Sequence, residues 1–241
     1  DLRDVTNYGH VPKSLISSSS IQVPVHPLCW DGSLPAGTVK RLAIPTASLR
    51  TVFVPDLGCF VKLNFTGVIG RYTREYDLVK WISAIENSNE IQRMISTSGT
   101  EAGFQLLDES HGMFVTSKEH GSFGVGVRKT TTANEGKIGA RVIPSFSLFC
   151  PRPGRKTIAS EIIEKIGVTE RNAFKALIAP FIDAYFRSSL LIGLFPEMNA
   201  QNVLVELDPE DFSISVVLRD TGDFFKDLSV RKQNRLHTNF V

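Results

Sequence analysis

The sequence predicts an α+β fold in which antiparallel hairpins are packed with helices. Three observations carry that prediction. Residues 41–67 and 202–219 each read as strand, turn, strand, with alternating apolar positions and Gly, Asp or Pro at the bend. Residues 77–95 and 158–192 repeat apolar side chains at spacings of three and four, the helical period. Strands and helices follow one another without the strand–helix–strand regularity of a parallel sheet.

Composition sets the outer bounds. The chain has 241 residues, 42% apolar and 22% charged, which is ordinary for a globular protein. It excludes a disordered tail, a collagen-like repeat and a disulfide scaffold, and it is long enough to bury a core. A net charge of +2, from 27 basic and 25 acidic residues, argues against nucleic acid or a membrane surface as partner. The longest apolar runs, such as 190–195, are too short to span a bilayer. Cys29, Cys59 and Cys150 are odd in number and show no CxxC spacing. They read as reduced thiols of a cytoplasmic protein rather than as zinc ligands.

Along the chain, the four serines 17–20 read as a linker and 21–27 as a short strand broken by prolines. Residues 31–40 are rich in turn formers. Asp77 is placed to cap the helix that follows it. Residues 108–141 read as loops around one strand, 123–128. A second strand, 142–149, is ended by Pro151 and Pro153. A helix over 158–166 stops at Gly167. Thr169 begins a longer one that runs to Ile192, is kinked or split by Pro180, and stops at Gly193. No internal repeat is present. The expected organisation is a mainly β, anion-binding region over 1–150 and a helical region with a β-hairpin over 151–241. The chain starts at Asp1 rather than Met, and it is expected to be part of a larger enzyme.

The first hairpin has a basic face. With a three-residue turn of Asp56, Leu57 and Gly58, Arg50 would oppose Asn64 and Ser48 would oppose Thr66. Alternation then groups Ser48, Arg50, Lys62, Asn64 and Thr66 on one face, with Leu49, Thr51, Phe53, Val61, Leu63 and Phe65 on the other. A guanidinium fork, an ammonium and hydroxyls on one face suit phosphate oxygens, although a solvated outer sheet face would show the same alternation. Residues 37–80 hold seven Lys or Arg and three acids. The second hairpin is opposite in sign: residues 196–227 hold eight acids against Arg219 and Lys226. Its pairing would bring Asp220 beside Asn202, so that Glu197, Asn202 and Asp220 converge at one end. Two carboxylates and an amide oxygen are hard donors that suit Mg²⁺ on nucleotide phosphates; an acidic solvated hairpin end is the plain alternative. Together the hairpins suggest a Mg-nucleoside triphosphate, a combination that kinases, ligases and many binding proteins share.

Five segments in order make the reading narrower. Val23-Pro-Val-His-Pro27 with Trp30, Ala47-Ser-Leu-Arg-Thr-Val52, Lys62-Leu63 with Arg74, Glu197-Met-Asn-Ala-Gln-Asn202, and Leu218-Arg-Asp220 with Gly222 stand in this sequence. They resemble the PvHPWQ, aSxRTv, KLs…TSxxR, EaHgQN and lRDxgg segments of the NRPS-independent siderophore (NIS) synthetases, aerobactin-synthetase type. The resemblance covers most of this chain but only the central portion of a family protein, its fingers and palm regions. It implies an ATP- and Mg²⁺-dependent ligase that adenylates a polycarboxylate such as citrate and joins it to an amine or alcohol. Its partners would be those small molecules, with a homo-oligomer left open. By the resemblance Ser48, Arg50, Lys62 and Arg74 would contact ATP, Gln201 would line the nucleotide pocket, and Glu197, Asn202 and Asp220 would hold Mg²⁺. Arg74 and Asn199 stand at the positions expected to act in catalysis. His26 and Arg128 are the candidates for the substrate pocket.

The sequence also departs from the family. Asn199 replaces its His, and an amide cannot shuttle a proton near neutral pH. Gly70-Arg71 replaces the Thr-Ser before Arg74. The family's lid segment, HPxHPxxKxR, has only a faint counterpart in 8–13. Gly121, Gly124 and Gly126 do not form a dinucleotide fingerprint and read as strand and loop glycines. Two other readings therefore stand beside the ligase: a diverged, non-catalytic nucleotide binder, and a kinase-like phosphotransferase. The last lacks a carboxylate just before Asn202, where that chemistry needs a base.

Overall fold

The computed structural model describes residues 2–8, 22–29, 38–46, 48–69, 71–74, 78–98, 103–109, 111–117, 121–130, 141–167, 169–208, 210, 213–236 and 238. The linker 17–20, the turn-rich 31–37, the cap Asp77, and Trp30 and Gly70 of the family-like segments lie outside them. The chain forms two compact units. One contains residues 1–86 and 108–130, the other 87–107 and 131–240.

The first unit is built on an antiparallel sheet. Its elements are β1 (Leu2–Tyr8), β2 (Ile44–Pro45), β3 (Thr51–Val54), β4 (Cys59–Leu63), β5 (Phe65–Ile69) and β6 (Tyr72–Arg74). After them come the start of α1 (Leu78–Ser98) and, beyond β7 (Gln105–Leu106) of the other unit, β8 (His111–Ser117) and β9 (Gly121–Lys129). The sheet order is β1-β8-β9-β4-β3-β2, and β5 and β6 form a separate ribbon. Residues 21–27 do not form the expected strand. Gln22–His26 is irregular and Pro27–Cys29 is a 3-10 turn, because Pro24 and Pro27 lack the N–H that a ladder needs.

Period-two alternation decides what this sheet buries. Cys59, Val61 and Leu63 on β4 and Val125 and Val127 on β9 face one core with Val54. The opposite face receives Trp81, which packs with Ile85 and Phe114. Trp81 is 2% exposed, and glycine makes its seat. A Cβ at Gly112 would stand 2.7 Å from the indole and 2.4 Å from the Val125 carbonyl oxygen. Gly112→Ala is therefore expected to destabilise the chain by about 1–3 kcal/mol through overpacking, read from the midpoint of a urea melt.

The second unit joins a mixed sheet to helices. Its strands are β7, β10 (Arg141–Pro144), β12 (Val203–Leu207) and β13 (Ile214–Leu218), in the order β10-β12-β13-β7 with β7 parallel to β13. The helices are the end of α1, then α2 (Ile158–Ile166), α3 (Glu170–Leu177), α4 (Ala179–Ile192) and α5 (Leu228–Gln233). The short strands β11 (Leu194–Phe195) and β14 (Phe225–Lys226) pair beside them. The expected strand over 142–149 ends early. Beyond Pro144 the chain turns into a 3-10 helix, Ser145–Leu148, which buries Leu148.

The helix ends follow local chemistry. Thr157 caps α2, its hydroxyl accepting from the Ser160 N–H at 3.1 Å. Gly167 and Gly193 close α2 and α4 in the left-handed conformation. Pro180 lies in the first turn of α4, where its missing N–H costs nothing, so the pattern splits there into α3 and α4. One face of the sheet packs against these helices through Val203, Val216 and Leu218 with Ile91, Ala184 and Ile192. Val205 joins Leu148, Ile162 and Leu177.

Candidate functional site

The first hairpin is one residue out of the expected register. Thr51 pairs with Lys62, Phe53 with Phe60 and Val54 with Cys59. The turn is the cause. It has four residues rather than three, because the Leu57 N–H donates to the Val54 carbonyl at 3.1 Å and the Gly58 N–H to Pro55 at 3.2 Å. Gly58 still takes the left-handed position, at φ 60°. Arg50 consequently opposes Leu63, whose N–H donates to its carbonyl at 2.9 Å, and not Asn64. Lys62 shares its face with Thr51, Phe53 and Phe60, and Phe53 and Phe60 pack ring to ring at 5.4 Å. Asn64 lies between β4 and β5 and uses its carbonyl as acceptor for the Cys29 thiol. The all-polar face of five residues is therefore not formed.

A different basic residue takes the vacated position. Arg128 pairs opposite Phe60, two residues from Lys62, and so lies on the Lys62 face. It is 4% exposed, and its guanidinium meets Glu109 Oε1 at 2.5 Å. A buried cation of this kind is held by its carboxylate partner. Beside the pair, Asp108 accepts from Lys129 Nζ at 3.2 Å.

Ser48 and Arg50 sit in a tight turn ahead of β3. The Thr51 N–H donates to Ser48 Oγ at 3.0 Å, Thr46 Oγ1 donates to the Thr51 carbonyl at 2.7 Å, and Leu49 adopts φ 62°. His26 buttresses this turn. Its Nε2 reaches the Leu49 carbonyl at 3.4 Å and its ring stands edge-on to Phe65 at 4.8 Å. Arg74 ends β6 and pairs opposite Phe65; its side chain lies outside the described ones, as does that of Thr66.

The acidic end is built on β12 and β13. Val203 pairs with Leu218, so one further step puts Arg219, not Asp220, across from Asn202. Asp220 follows in the left-handed region at φ 59°, ψ 49°, and begins the 3-10 turn Thr221–Asp223. Asn202 is 7% exposed, and its Nδ2 donates to Glu197 Oε2 at 2.8 Å. Asn199 folds the approach to β12. Its Oδ1 accepts the N–H groups of Gln201 at 3.0 Å and Asn202 at 2.8 Å, an Asx turn. Gln201 is exposed beside it. Among the described residues no three His, Cys, Asp or Glu side chains converge on one point. The expected donor set is two acids and an amide, and in the structure the Asn202–Glu197 bond occupies the amide nitrogen. The amide oxygen is then the atom left for a hard cation such as Mg²⁺, so the donor chemistry fits that ion.

No family model matches the chain, and no curated protein matches it in sequence. Solved structures do. The petrobactin biosynthesis protein AsbB of Bacillus anthracis superposes with a TM-score of 0.64 at 18% identity, over 76% of this chain and 31% of that one. Aerobactin synthetase IucC of Klebsiella pneumoniae gives 0.62 at 18%, over 77% and 34%. ATP-bound aerobactin synthetase IucA of the same organism gives 0.63 at 13%, over 80% and 37%. The fold is that of the NIS siderophore synthetases. It is α+β, as the sequence predicts, and the chain spans about a third of each of those structures. No described helix is long and apolar enough to cross a membrane.

Within this synthetase fold, a polar cluster that no sequence motif announces joins the fully buried Asn87 and Arg231 to the half-buried Glu90. Asn87 Nδ2 donates to the Thr221 carbonyl at 2.7 Å. Arg231 is fully buried, donates to both Glu90 oxygens at 2.8 Å, and donates to the Ile192 carbonyl at 2.7 Å. A signal was available. The apolar period of α1 lapses over residues 86–90, Glu-Asn-Ser-Asn-Glu, between Ile85 and Ile91. Polar residues at core-facing positions of a helix need partners elsewhere in the chain.

Proposed function

We propose that this chain is the nucleotide-binding, carboxylate-activating portion of a NIS-type ligase. The observation that carries the reading is the paired Glu197–Asn202 at the mouth of the β12–β13 hairpin, one step from Asp220, in a synthetase fold. In the proposed reaction a carboxylate oxygen of a polycarboxylate such as citrate attacks the α-phosphorus of ATP. The bond to pyrophosphate breaks and an acyl-adenylate forms. An amine or alcohol then attacks the acyl carbon, AMP leaves, and the nucleophile's proton passes to solvent.

Negative charge gathers on the phosphates in the first step, so preplaced cations lower its barrier. Arg50, Lys62 and Arg74 would supply that charge, with Ser48 as hydroxyl donor and Gln201 at the nucleotide. Glu197, Asn202 and Asp220 would hold Mg²⁺, which supplies charge neutralisation at the phosphates when bound. Arg128, oriented by Glu109, and His26, through the Leu49 turn, belong to the substrate side. Such an enzyme would work in the cytoplasm, where ATP and citrate are at hand.

Asn199 favours one second reading, a nucleotide binder without turnover. Its oxygen is committed to two backbone N–H groups, so it serves the turn rather than proton transfer. The test is pyrophosphate release from ATP, Mg²⁺ and a panel of polycarboxylates, with hydroxylamine as trapping nucleophile. Pyrophosphate, AMP and a hydroxamate are expected. Nucleotide binding without pyrophosphate across the panel would establish the second reading instead, and ADP with a phosphorylated acid would establish a phosphotransferase.

A further inference from the structure

The hydrogen bond from Asn87 reaches the segment that carries Asp220. Asn87 lies at the middle of α1 with no exposed surface, and Thr221, which accepts its proton at 2.7 Å, is equally buried. Asn87 Oδ1 is buried without a hydrogen-bond partner. An amide with one end unmet is an expensive core residue, costlier there than an apolar side chain of similar size. The fold keeps it at a place where the backbone needs holding.

Asp220 adopts φ 59°, a region that aspartate enters more readily than most side chains but still at some cost, and holds where neighbours fix it. Its side chain does not cap the 3-10 turn that it begins. Within that turn the Asp223 N–H donates to the Asp220 carbonyl at 3.2 Å and the Phe224 N–H to the Thr221 carbonyl at 3.3 Å, both long. The bond from Asn87 is shorter and comes from a helix, a rigid element. Three residues further along α1, Glu90 grips Arg231, so the same stretch of helix is itself anchored.

We propose that Asn87 is a positioning residue for Asp220: by fixing the Thr221 carbonyl it holds the left-handed turn that presents the Asp220 carboxylate to a magnesium nucleotide. This rests on the reading of Asp220 as a metal ligand given above. Two measurements on the whole chain test it. In the first, amide hydrogen exchange is followed by NMR in wild type and Asn87→Ala, without nucleotide. Asp223 and Phe224 amides are expected to lose protection by about tenfold or more, while Val216 and Val217 keep theirs. Unchanged protection at Asp223 and Phe224 overturns the inference whatever the protein does with ATP. If Asn87→Ala does not fold, Asn87→Leu, which fills the same space but donates no hydrogen bond, replaces it in both measurements.

The second measurement is a double-mutant cycle on ATP affinity, with and without Mg²⁺, using Asn87→Ala, Asp220→Ala and the pair. Asn87→Ala is expected to weaken Mg-ATP binding by about tenfold, to leave metal-free ATP binding within about twofold, and to add nothing once Asp220 is gone. Full additivity, or equal loss with and without metal, overturns the positioning role and marks Asn87 as structural. If Asp220→Ala leaves wild-type Mg-ATP affinity intact, the metal-site reading fails, and the exchange result still decides whether Asn87 holds the turn.

Discussion

Asp220→Ala is expected to cut magnesium-dependent pyrophosphate release by about 100-fold or more, with metal-free ATP affinity little changed. Two losses combine in that variant. The carboxylate that would bind Mg²⁺ is removed, and with it goes the short polar side chain that lets aspartate settle at φ 59° more readily than alanine. Asp220→Asn separates them. Asparagine tolerates the left-handed region and keeps an oxygen donor, but carries no charge. It is expected to hold wild-type stability in urea while activity falls by about tenfold. Equal activity in wild type, Asp220→Ala and Asp220→Asn would remove Asp220 from the site. Loss of stability in Asp220→Asn would show that the carboxylate serves the fold.

The largest expected effect on stability lies elsewhere, at Arg231. This side chain has no exposed surface, and three donated bonds tie it to Glu90 and to the end of α4. Truncation to alanine would leave Glu90 without its cation, the Ile192 carbonyl without its donor and a cavity beneath Gly193, whose missing Cβ would otherwise lie 2.5 Å from Arg231 Cγ. Breaking a buried ion pair from one side costs about 3–5 kcal/mol, a large share of a typical domain's stability. Arg231→Ala should therefore unfold at markedly lower urea. The pair Arg231→Met with Glu90→Leu should recover most of that loss, since apolar replacement removes both charges together. Failure of the double variant to recover would mean that the Ile192 carbonyl bond, and not the ion pair, is what the fold depends on.

Helix boundaries were legible because each one is written in local chemistry. Gly167, Pro180 and Gly193 act through their own backbone, and the structure uses each as the sequence predicts. The β12–β13 hairpin was legible for the same reason, since its two apolar runs flank an acidic turn. The first strand was not. Residues Leu2–Tyr8 carry few apolar side chains, and they become a strand by pairing with β8, more than a hundred residues away. Long-range pairing leaves little trace in a short polar segment.

The candidate site divides along the same line. Glu197, Asn199 and Asn202 lie within six consecutive residues, and the contact between Glu197 and Asn202 is one that spacing anticipated. The basic face depended on register, which turns on whether Val54 or Pro55 closes the ladder. Both choices put Gly58 in a left-handed turn, so the glycine could not decide between them. Arg128 entered that face through a strand 66 residues beyond Lys62. Its partner Glu109 comes from a segment read as loop, and nothing in the spacing of the two residues announces the pair.

The four-residue turn of the first hairpin has a further consequence. Because neighbouring positions on a strand face opposite ways, the number of residues between Val54 and Cys59 selects which β3 side chains share the face of Lys62 and Arg128. Removing Leu57 would exchange the β3 partners of Lys62 without altering a single charged residue. For chains of this fold, an insertion or deletion in this bend is therefore equivalent to rewriting this face of the hairpin. Loop length there carries information that a comparison of charged positions alone would miss.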